Sequence, residues 1–220
     1  MGDVTDKGMP AALVMASCRT VLRGVALAAG DELTPAEVLR RANELLVGDI
    51  PEAMFITCLY GVLDTGSGHF RFANAGHVPP LWSSASATKV VMAKGMPLGL
   101  MSGMEYEEAA VILAPGDLIL LSSDGITEAH SPKREMFGFE RLRQAFERLC
   151  HEPLESLVND HRQFTGPDWE QEDDITLITL NRRRSEDFRA PGDGVPGEHG
   201  VGAGQRLLVS REPSGPSEAS

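Results

Sequence analysis

The chain has 220 residues, of which 42% are hydrophobic, and a formal net charge of −12. This length accommodates one compact domain with a tail, and the hydrophobic content is sufficient for a core. Because residues 182–220 include six basic and six acidic side chains, the net charge of −12 belongs entirely to residues 1–181. Such acidity argues against nucleic acid as a partner, since phosphate binding needs a basic surface. It is compatible with a site that gathers cations.

The cysteines Cys18, Cys58 and Cys150 are scattered and odd in number. None has the spacing of a zinc site, and Cys18 and Cys58 lie in apolar stretches, where they are predicted to be core residues. The N-terminus lacks the basic and apolar segments of a signal peptide. We expect no run to approach the roughly 20 apolar residues that are needed to span a bilayer. We therefore expect a cytoplasmic protein without a membrane partner.

Two helices are predicted in the first quarter of the chain. The first covers residues 9–29 and ends at Gly30. Alanine, leucine and valine occur on several of its faces, which favours deep burial. The second runs from Thr34 to about Leu46, because Thr34 and Glu37 have the spacing of a capping box.

The remaining elements come in blocks of one type. β-branched and aromatic residues predict strands, and the spacing of apolar residues predicts two further helices. The predicted strands cover residues 54–64, 69–75, 89–92, 106–113, 118–123 and 174–180, and the predicted helices cover residues 139–149 and 154–164. Pro79 and Pro80 restrict the segment that follows them to a sheet edge or a loop entry.

This order of helices, a meander of strands, further helices and a last strand lacks regular β-α alternation. It predicts an α+β fold in which antiparallel sheets pack face to face as a β-sandwich flanked by helices. Residues 182–220 are rich in glycine, proline and serine, with little apolar surface to bury. They are predicted to form a disordered tail.

Three short acidic segments point to chemistry. Asp3, Asp124 and the pair Asp173 and Asp174 each lie where an apolar, strand-like run meets a turn. Clustered carboxylates repel one another unless cations lie between them, and Mg²⁺ and Mn²⁺ prefer oxygen ligands of this kind. Neighbouring side chains on a strand point in opposite directions, so only one of Asp173 and Asp174 is expected to face a shared site. Taken alone, the segments also fit a helix cap, an Asp-Gly turn and a solvated strand start.

Residues 2–13 (GDVTDKGMPAAL) resemble a metal-site segment of the SpoIIE/RsbU-type phosphatases. These are bacterial members of the PPM superfamily of metal-dependent Ser/Thr phosphatases. Further signatures follow in the family's order at residues 54–57 (MFIT), 74–81 (NAGHVPPL), 95–99 (GMPLG), 113–117 (LAPGD), 123–129 (SDGITEA), 137–138 (FG) and 173–177 (DDITL). The resemblance covers about residues 1–181 and implies the four-layer αββα sandwich of PPM phosphatases.

The resemblance implies a phosphomonoesterase with two Mn²⁺ or Mg²⁺ ions. Such ions hold and activate a water that attacks phosphorus in line, without a phosphoenzyme. By position, Asp3 resembles the carboxylate that bridges both ions, and Val4 would offer its backbone carbonyl. Asp124 and Asp173 resemble ligands of the second ion.

Four further residues are candidates that would hold these ligands in place. Asp174 and Gly125 flank two of them in sequence. Glu128 either orients the loop of Asp124 or caps a turn. His77 has the chemistry of an acid or base near pH 7, and the alternative is a loop histidine that hydrogen bonds to the backbone. No basic residue stands out as a ligand for substrate phosphate.

Family members also carry an upstream strand pair with a Gly-Asp-aromatic-x-Asp segment, which supplies a ligand to the first ion. The present chain begins after that point, and the spacing of Asp6 does not suit the role. We therefore expect a phosphatase domain over residues 1–181 that is truncated at its N-terminus.

Two functions remain open. The first is a protein Ser/Thr phosphatase. By resemblance its substrate is a phosphorylated STAS-type anti-anti-sigma-like protein, and a sensor or receiver domain lies upstream. The second is a catalytically impaired pseudophosphatase, or a fragment, that acts as a binding module. The sequence leaves open whether the protein is a dimer.

Overall fold

The computed structural model of the chain describes residues 1–29, 33–51, 53–150, 152 and 154–183. The predicted tail lies outside these residues from position 184 onward, so its disorder stays a prediction. In chain order the elements are β1 (Gly2–Val4), α1 (Met9–Ala29), α2 (Pro35–Leu46), β2 (Ile56–Asp64), β3 (His69–Ala75), β4 (Leu81–Ser83), β5 (Thr88–Val90), β6 (Glu108–Ile112), β7 (Leu118–Ser122), α3 (Gly125–Glu128), α4 (Gly138–Leu149), α5 (Leu154–Thr165) and β8 (Leu177–Asn181).

Two four-stranded antiparallel sheets lie at the centre of the fold. The first has the strand order β1-β2-β3-β6, and the second has the order β5-β4-β7-β8. In the first sheet Asp3 lies opposite Thr57. In the second, Ser122 at the end of β7 lies opposite Leu177 at the start of β8. The segment that follows β7 and the segment that precedes β8 are therefore neighbours.

Three apolar clusters join four layers. The first cluster joins α1 and α2 to the first sheet and contains Leu39 and Ile56. The second lies between the sheets and contains Phe72 and Ile119. The third joins the second sheet to α4 and α5 through residues such as Leu142. The helix–sheet–sheet–helix order confirms the predicted α+β sandwich.

The buried strand β7 shows how the pattern of residues produces these layers. All five of its positions are buried. Because neighbouring side chains on a strand point to opposite faces, Ile119 contacts the inner cluster and Leu120 contacts the helix-side cluster. A continuous apolar run is what a strand covered on both faces requires.

The second helix begins as predicted. Thr34 Oγ1 accepts a hydrogen bond from the Glu37 backbone N–H (3.3 Å), and Glu37 Oε2 accepts one from the Thr34 N–H (2.9 Å). This reciprocal pair is a capping box. Further along the same helix, buried Asn43 donates to the Met101 carbonyl (2.8 Å) and accepts from the Gly99 N–H (2.9 Å). Asn43 thus connects α2 to the loop that follows β5.

The expected deep burial of α1 is wrong. Val14 and Cys18 are buried, whereas Met9 and Leu27 are 77% and 72% exposed. The helix packs on α2 and the edge strand β1, so only one stripe of it contacts the core. The apolar residues elsewhere on the helix face outward.

The same helix contains an apolar run long enough to span a bilayer. Residues Met9–Ala28 have a mean hydropathy of 1.5 and, by length and composition alone, could cross a bilayer. The expectation that no run approaches this length was wrong. Core helices and signal sequences meet the same criterion, so it is weak support for a membrane span.

The expected restriction after Pro79 and Pro80 is also wrong. The strand that follows, β4, pairs with β5 on one side and with β7 on the other. The prolines precede the strand and therefore remove no N–H donor from Leu81–Ser83. Cys18 and Cys58 are both buried, as predicted.

We expect Asn43→Ala to lower the free energy of unfolding by about 1–3 kcal/mol, because the Gly99 N–H and the Met101 carbonyl lose their partner. Leu45→Ala on the same helix is the control. Leu45 is 55% exposed, and its truncation should change stability by no more than about 0.5 kcal/mol. Urea unfolding of both variants provides the measurement. Equal stabilities would show that Asn43 does not hold this loop.

Candidate metal centre

Asp3, Asp124 and Asp173 converge in the structure. Each offers a carboxylate oxygen, and these three atoms lie within 4.8 Å of one another. Asp3 comes from β1 in the first sheet, whereas Asp124 follows β7 and Asp173 precedes β8 in the second sheet. In the described part of the chain, this is the one group of three or more acidic, histidine or cysteine side chains with such spacing.

Strand pairing positions Asp3. Its neighbour Gly2 lies so close to β2 that an added Cβ would be 3.0 Å from the Thr57 carbonyl oxygen. The half-buried carboxyl group of Asp3 has a pKa raised to about 6, first by burial and then by repulsion from Asp124 and Asp173. The Val4 N–H opposes this shift by donating to the carboxylate.

Asp124 occupies the position before α3, a short helix that the sequence analysis did not predict. Its backbone carbonyl accepts from the Thr127 and Glu128 N–H groups at 2.7 and 2.8 Å. Its side chain makes no capping hydrogen bond. The backbone therefore forms the turn, and the carboxylate remains available to a ligand.

Asp173 and Asp174 lie in a loop, not at the strand start that was predicted, because β8 begins only at Leu177. Ser123 holds this loop: its hydroxyl donates to the Asp174 carbonyl (2.9 Å) and accepts from the Thr176 N–H (2.9 Å). The Asp173 carboxylate accepts from the Asp174 N–H at 2.8 Å. Asp173 joins the cluster, while the Asp174 carboxylate lies outside it and still raises the pKa of Asp3.

Gly125 permits the loop of Asp173 and Asp174 to lie close to the segment that follows β7. An added Cβ would lie 2.5 Å from the Asp174 carbonyl oxygen and 3.3 Å from that of Asp173. Nearby Glu128 has a pKa raised by partial burial and by Asp124 and Asp173. Both residues thus border the cluster. The role of the Val4 carbonyl as a ligand stays a prediction.

His77 is separated from the cluster by one residue, Thr57. Its Nδ1 is 2.9 Å from Thr57 Oγ1, and Thr57 is the strand partner of Asp3. Asn74 anchors His77 by accepting from its N–H (2.7 Å) and donating to its carbonyl (2.8 Å). Burial lowers the pKa of His77 to about 4. The imidazole is therefore neutral at pH 7 and contacts Thr57, the strand partner of Asp3.

Three residues near the cluster were missed by the sequence analysis. Lys7 Nζ is 4.0 Å from Asp173 Oδ1 and donates to the Glu172 carbonyl. His130 Nδ1 is 3.1 Å from Glu172 Oε2. Sequence signals existed for two of them, because Lys7 lies within the segment 2–13 and Glu172 directly precedes Asp173. His130 is brought to Glu172 only by the fold.

The donor set suits a hard divalent cation. Three carboxylates supply oxygen ligands and formal negative charge, and the softer sulfur ligands are absent from this described cluster. The pKa of Asp3 is raised first by burial and then by repulsion from Asp124 and Asp173, and a bound cation would relieve that repulsion. The residues present therefore fit Mn²⁺ or Mg²⁺.

Comparisons with known proteins match most of this chain to one family. The family described as Stage II sporulation protein E (SpoIIE) matches residues 1–183. Phosphoserine phosphatase RsbU of Bacillus subtilis is 28% identical to this chain over 186 residues, which cover 83% of the chain and 55% of RsbU. The chain thus spans about half the length of this curated relative.

Two solved structures have the same fold. The RsbU and RsbW domains of a Mycobacterium tuberculosis protein match with 29% identity and a TM-score of 0.65, covering 83% of this chain and 51% of that one. The SiaA-PP2C domain of Pseudomonas aeruginosa matches with 23% identity and a TM-score of 0.67, covering 82% and 73%. At that identity, the second match shows the fold alone.

We expect Asp3→Asn to stabilise the protein when divalent cations are removed by a chelator. The substitution ends repulsion by Asp124 and Asp173. Because the carboxyl group is half-buried, solvent screening leaves a gain of about 1 kcal/mol, or roughly 2–4 °C in Tm at neutral pH.

The pH dependence of this effect has a defined sign. The pKa of Asp3 is raised from 3.8 to about 6, so the folded state binds this proton more tightly than the unfolded state. Its contribution to stability is complete below pH 3.8 and is lost as the pH rises through about 6. Thermal unfolding should show this loss in the parent and not in Asp3→Asn. A variant less stable than the parent at pH 7 would contradict the repulsion.

Gly125→Ala should weaken Mn²⁺ binding by about tenfold or more, because the new Cβ displaces the loop that carries Asp173. Gly24→Ala is the control, since no atom lies within 4 Å of its added Cβ. That change lies in α1 and should stabilise the helix by up to about 1 kcal/mol. Calorimetric titration with Mn²⁺ compares the two variants with the parent. Equal affinities for Gly125→Ala and the parent would show that this close approach does not position the ligands.

Proposed function

The chain belongs to the SpoIIE family, and we propose that it is a metal-dependent protein phosphatase that hydrolyses phosphoserine or phosphothreonine on a regulatory protein. The observation that supports this best is the convergence of Asp3, Asp124 and Asp173 within 4.8 Å from three distant segments. Among proteins of similar fold, the SpoIIE phosphatase domain of Bacillus subtilis has a Mn-presoaked structure and RsbX has a structure in complex with magnesium. The name of the relative RsbU, a phosphoserine phosphatase, supports the same reaction class.

Bound divalent cations would supply a water of lowered pKa and would offset the charge of the transferring phosphoryl group. The chain itself contributes the three carboxylates of Asp3, Asp124 and Asp173, which would hold the cations, and Asp3 would be the ligand that they share. Ser123 and Gly125 keep the loop of Asp173 in place. Glu128 borders the cluster and adds negative charge beside Asp124.

The openness of the site favours a phosphate carried on a protein. Asp3, Asp124 and Asp173 are each partly exposed. A phosphorylated side chain on the surface of another protein can therefore reach them. Without cations, these carboxylates would repel a phosphate dianion. Substrate binding is consequently expected to require the metal.

The finer assignments are part of the same proposal. The substrate is a phosphorylated STAS-type protein, and the regulator is a sensor or receiver domain on the same polypeptide. The occurrence of RsbU and RsbW domains together in a similar structure supports a role in such regulation. The proposed location is the cytoplasm, which the free cysteines Cys18, Cys58 and Cys150 favour.

The pseudophosphatase remains the second candidate. A two-ion centre needs more ligands than three carboxylates, and the described residues contain one such group of three. If a second cation finds too few ligands, the domain would bind a phosphorylated partner without hydrolysing it. The two candidates differ in turnover and agree in metal binding.

The deciding experiment measures Mn²⁺-dependent release of phosphate from an aryl phosphate by the parent and by Asp124→Asn. We expect turnover by the parent and a loss of at least about 100-fold in the variant, because a ligand carboxylate becomes a neutral amide. Asp168→Asn changes an exposed aspartate in the segment after α5 and should leave the rate unchanged.

A folded parent that binds Mn²⁺ and releases no phosphate would support the binding module instead. Equal turnover and equal Mn²⁺ affinity in the parent and Asp124→Asn would contradict the shared metal site. A phosphorylated STAS domain tested beside a phosphorylated peptide then examines the substrate. Equal rates on both would contradict STAS specificity.

A further inference from the structure

Lys7 lies at the edge of the carboxylate cluster. It belongs to the short loop between β1 and α1, four residues after Asp3. Its Nζ lies 4.0 Å from Asp173 Oδ1 and donates a hydrogen bond to the carbonyl of Glu172. One lysine thus reaches across 165 residues of sequence to the loop that carries a candidate ligand.

The backbone on both sides of Lys7 has an uncommon conformation. Asp6 has a φ of 76° and Gly8 has a φ of 84°. A left-handed conformation costs a residue other than glycine about 1 kcal/mol or more, and such residues concentrate at functional sites. The Lys7 side chain is 70% exposed. The loop conformation, rather than burial, therefore sets the direction of the lysine.

The charges around Lys7 are mostly negative. Asp3, Asp124 and Asp173 form the cluster, and Glu128 and Glu172 lie beside it. Among the described residues, the ion pair between Lys7 and Asp173 is the one salt bridge formed by a member of the cluster. The other nearby basic group, His130, is paired with Glu172. Among the described residues, Lys7 is thus the basic side chain that forms an ion pair with a member of the cluster.

We propose that Lys7 is a substrate-binding residue that contacts a phosphoryl oxygen of the phosphorylated side chain. The inference rests on the proposed function and assigns the ligand of this lysine. Lysine binds phosphate as a compact point charge on a flexible stem. An exposed pair with Asp173 is worth at most about 1 kcal/mol, so the ammonium can exchange it for a dianion.

A purely structural role makes different predictions. If Lys7 only holds the β1–α1 loop against residues 172–173, its removal should loosen Asp173 and weaken metal binding. If Lys7 binds phosphate, its removal should weaken phosphate binding. Mn²⁺ binding should then stay the same or become tighter, because a positive charge has left an acidic site. Metal affinity and phosphate affinity therefore separate the two roles.

The experiment uses inorganic phosphate as the probe and isothermal calorimetry as the readout. Mn²⁺ affinity is measured first without phosphate, and phosphate affinity is then measured at saturating Mn²⁺. For Lys7→Met we expect about tenfold weaker phosphate binding, the effect of losing one charged hydrogen bond. Lys7→Arg should recover most of the affinity. Lys89→Met, on the exposed edge strand β5, is the matched control and should behave like the parent.

Unchanged phosphate affinity in Lys7→Met would overturn the proposal, as would a parent that binds no phosphate at saturating Mn²⁺. A loss of Mn²⁺ affinity in Lys7→Met would assign the structural role instead. Turnover reports separately on the proposed function. A parent without turnover whose phosphate binding depends on Lys7 would contradict the phosphatase and retain the phosphate contact.

Discussion

Mutual repulsion among three carboxylates is the constraint on which the rest of this structure depends. Asp3, Asp124 and Asp173 lie within 4.8 Å of one another, and the pKa of Asp3 is raised to about 6 as a consequence of burial and of the other two. Repulsion makes such a cluster unfavourable, so the surrounding fold must hold the three carboxylates together. The free energy that stabilises the sandwich therefore also maintains the candidate metal centre.

The backbone, more than side-chain packing, holds the three candidate ligands in position. Pairing of β1 with β2 positions Asp3, and the turn into α3 positions Asp124 through its own carbonyl. Ser123 connects the end of β7 to the loop before β8, where the absence of a side chain at Gly125 admits the Asp174 carbonyl. Because these contacts use backbone groups, the carboxylates remain available for a ligand.

The loop between β1 and α1 connects the site to a helix that exposes several apolar side chains. It leaves the strand of Asp3, contains Lys7 and leads directly into α1. The outward face of α1 carries Met9 and Leu27, which are largely exposed. This loop therefore links the candidate metal centre directly to a helix with an uncovered apolar face.

Local signals in the sequence were sufficient for much of this description. The bounds of α1, α2, α4 and α5 were predicted to within about one residue, because caps and apolar spacing act within one or two turns. The acidic segments of Asp3, Asp124 and Asp173 were recognised from their place at strand ends and from their resemblance to a family. Tertiary structure alone determined that β4 is an interior strand, that α1 is mostly exposed, and that Lys7 contacts the loop of Asp173. Each of these depends on contacts between residues far apart in the chain, and no local pattern specifies such contacts.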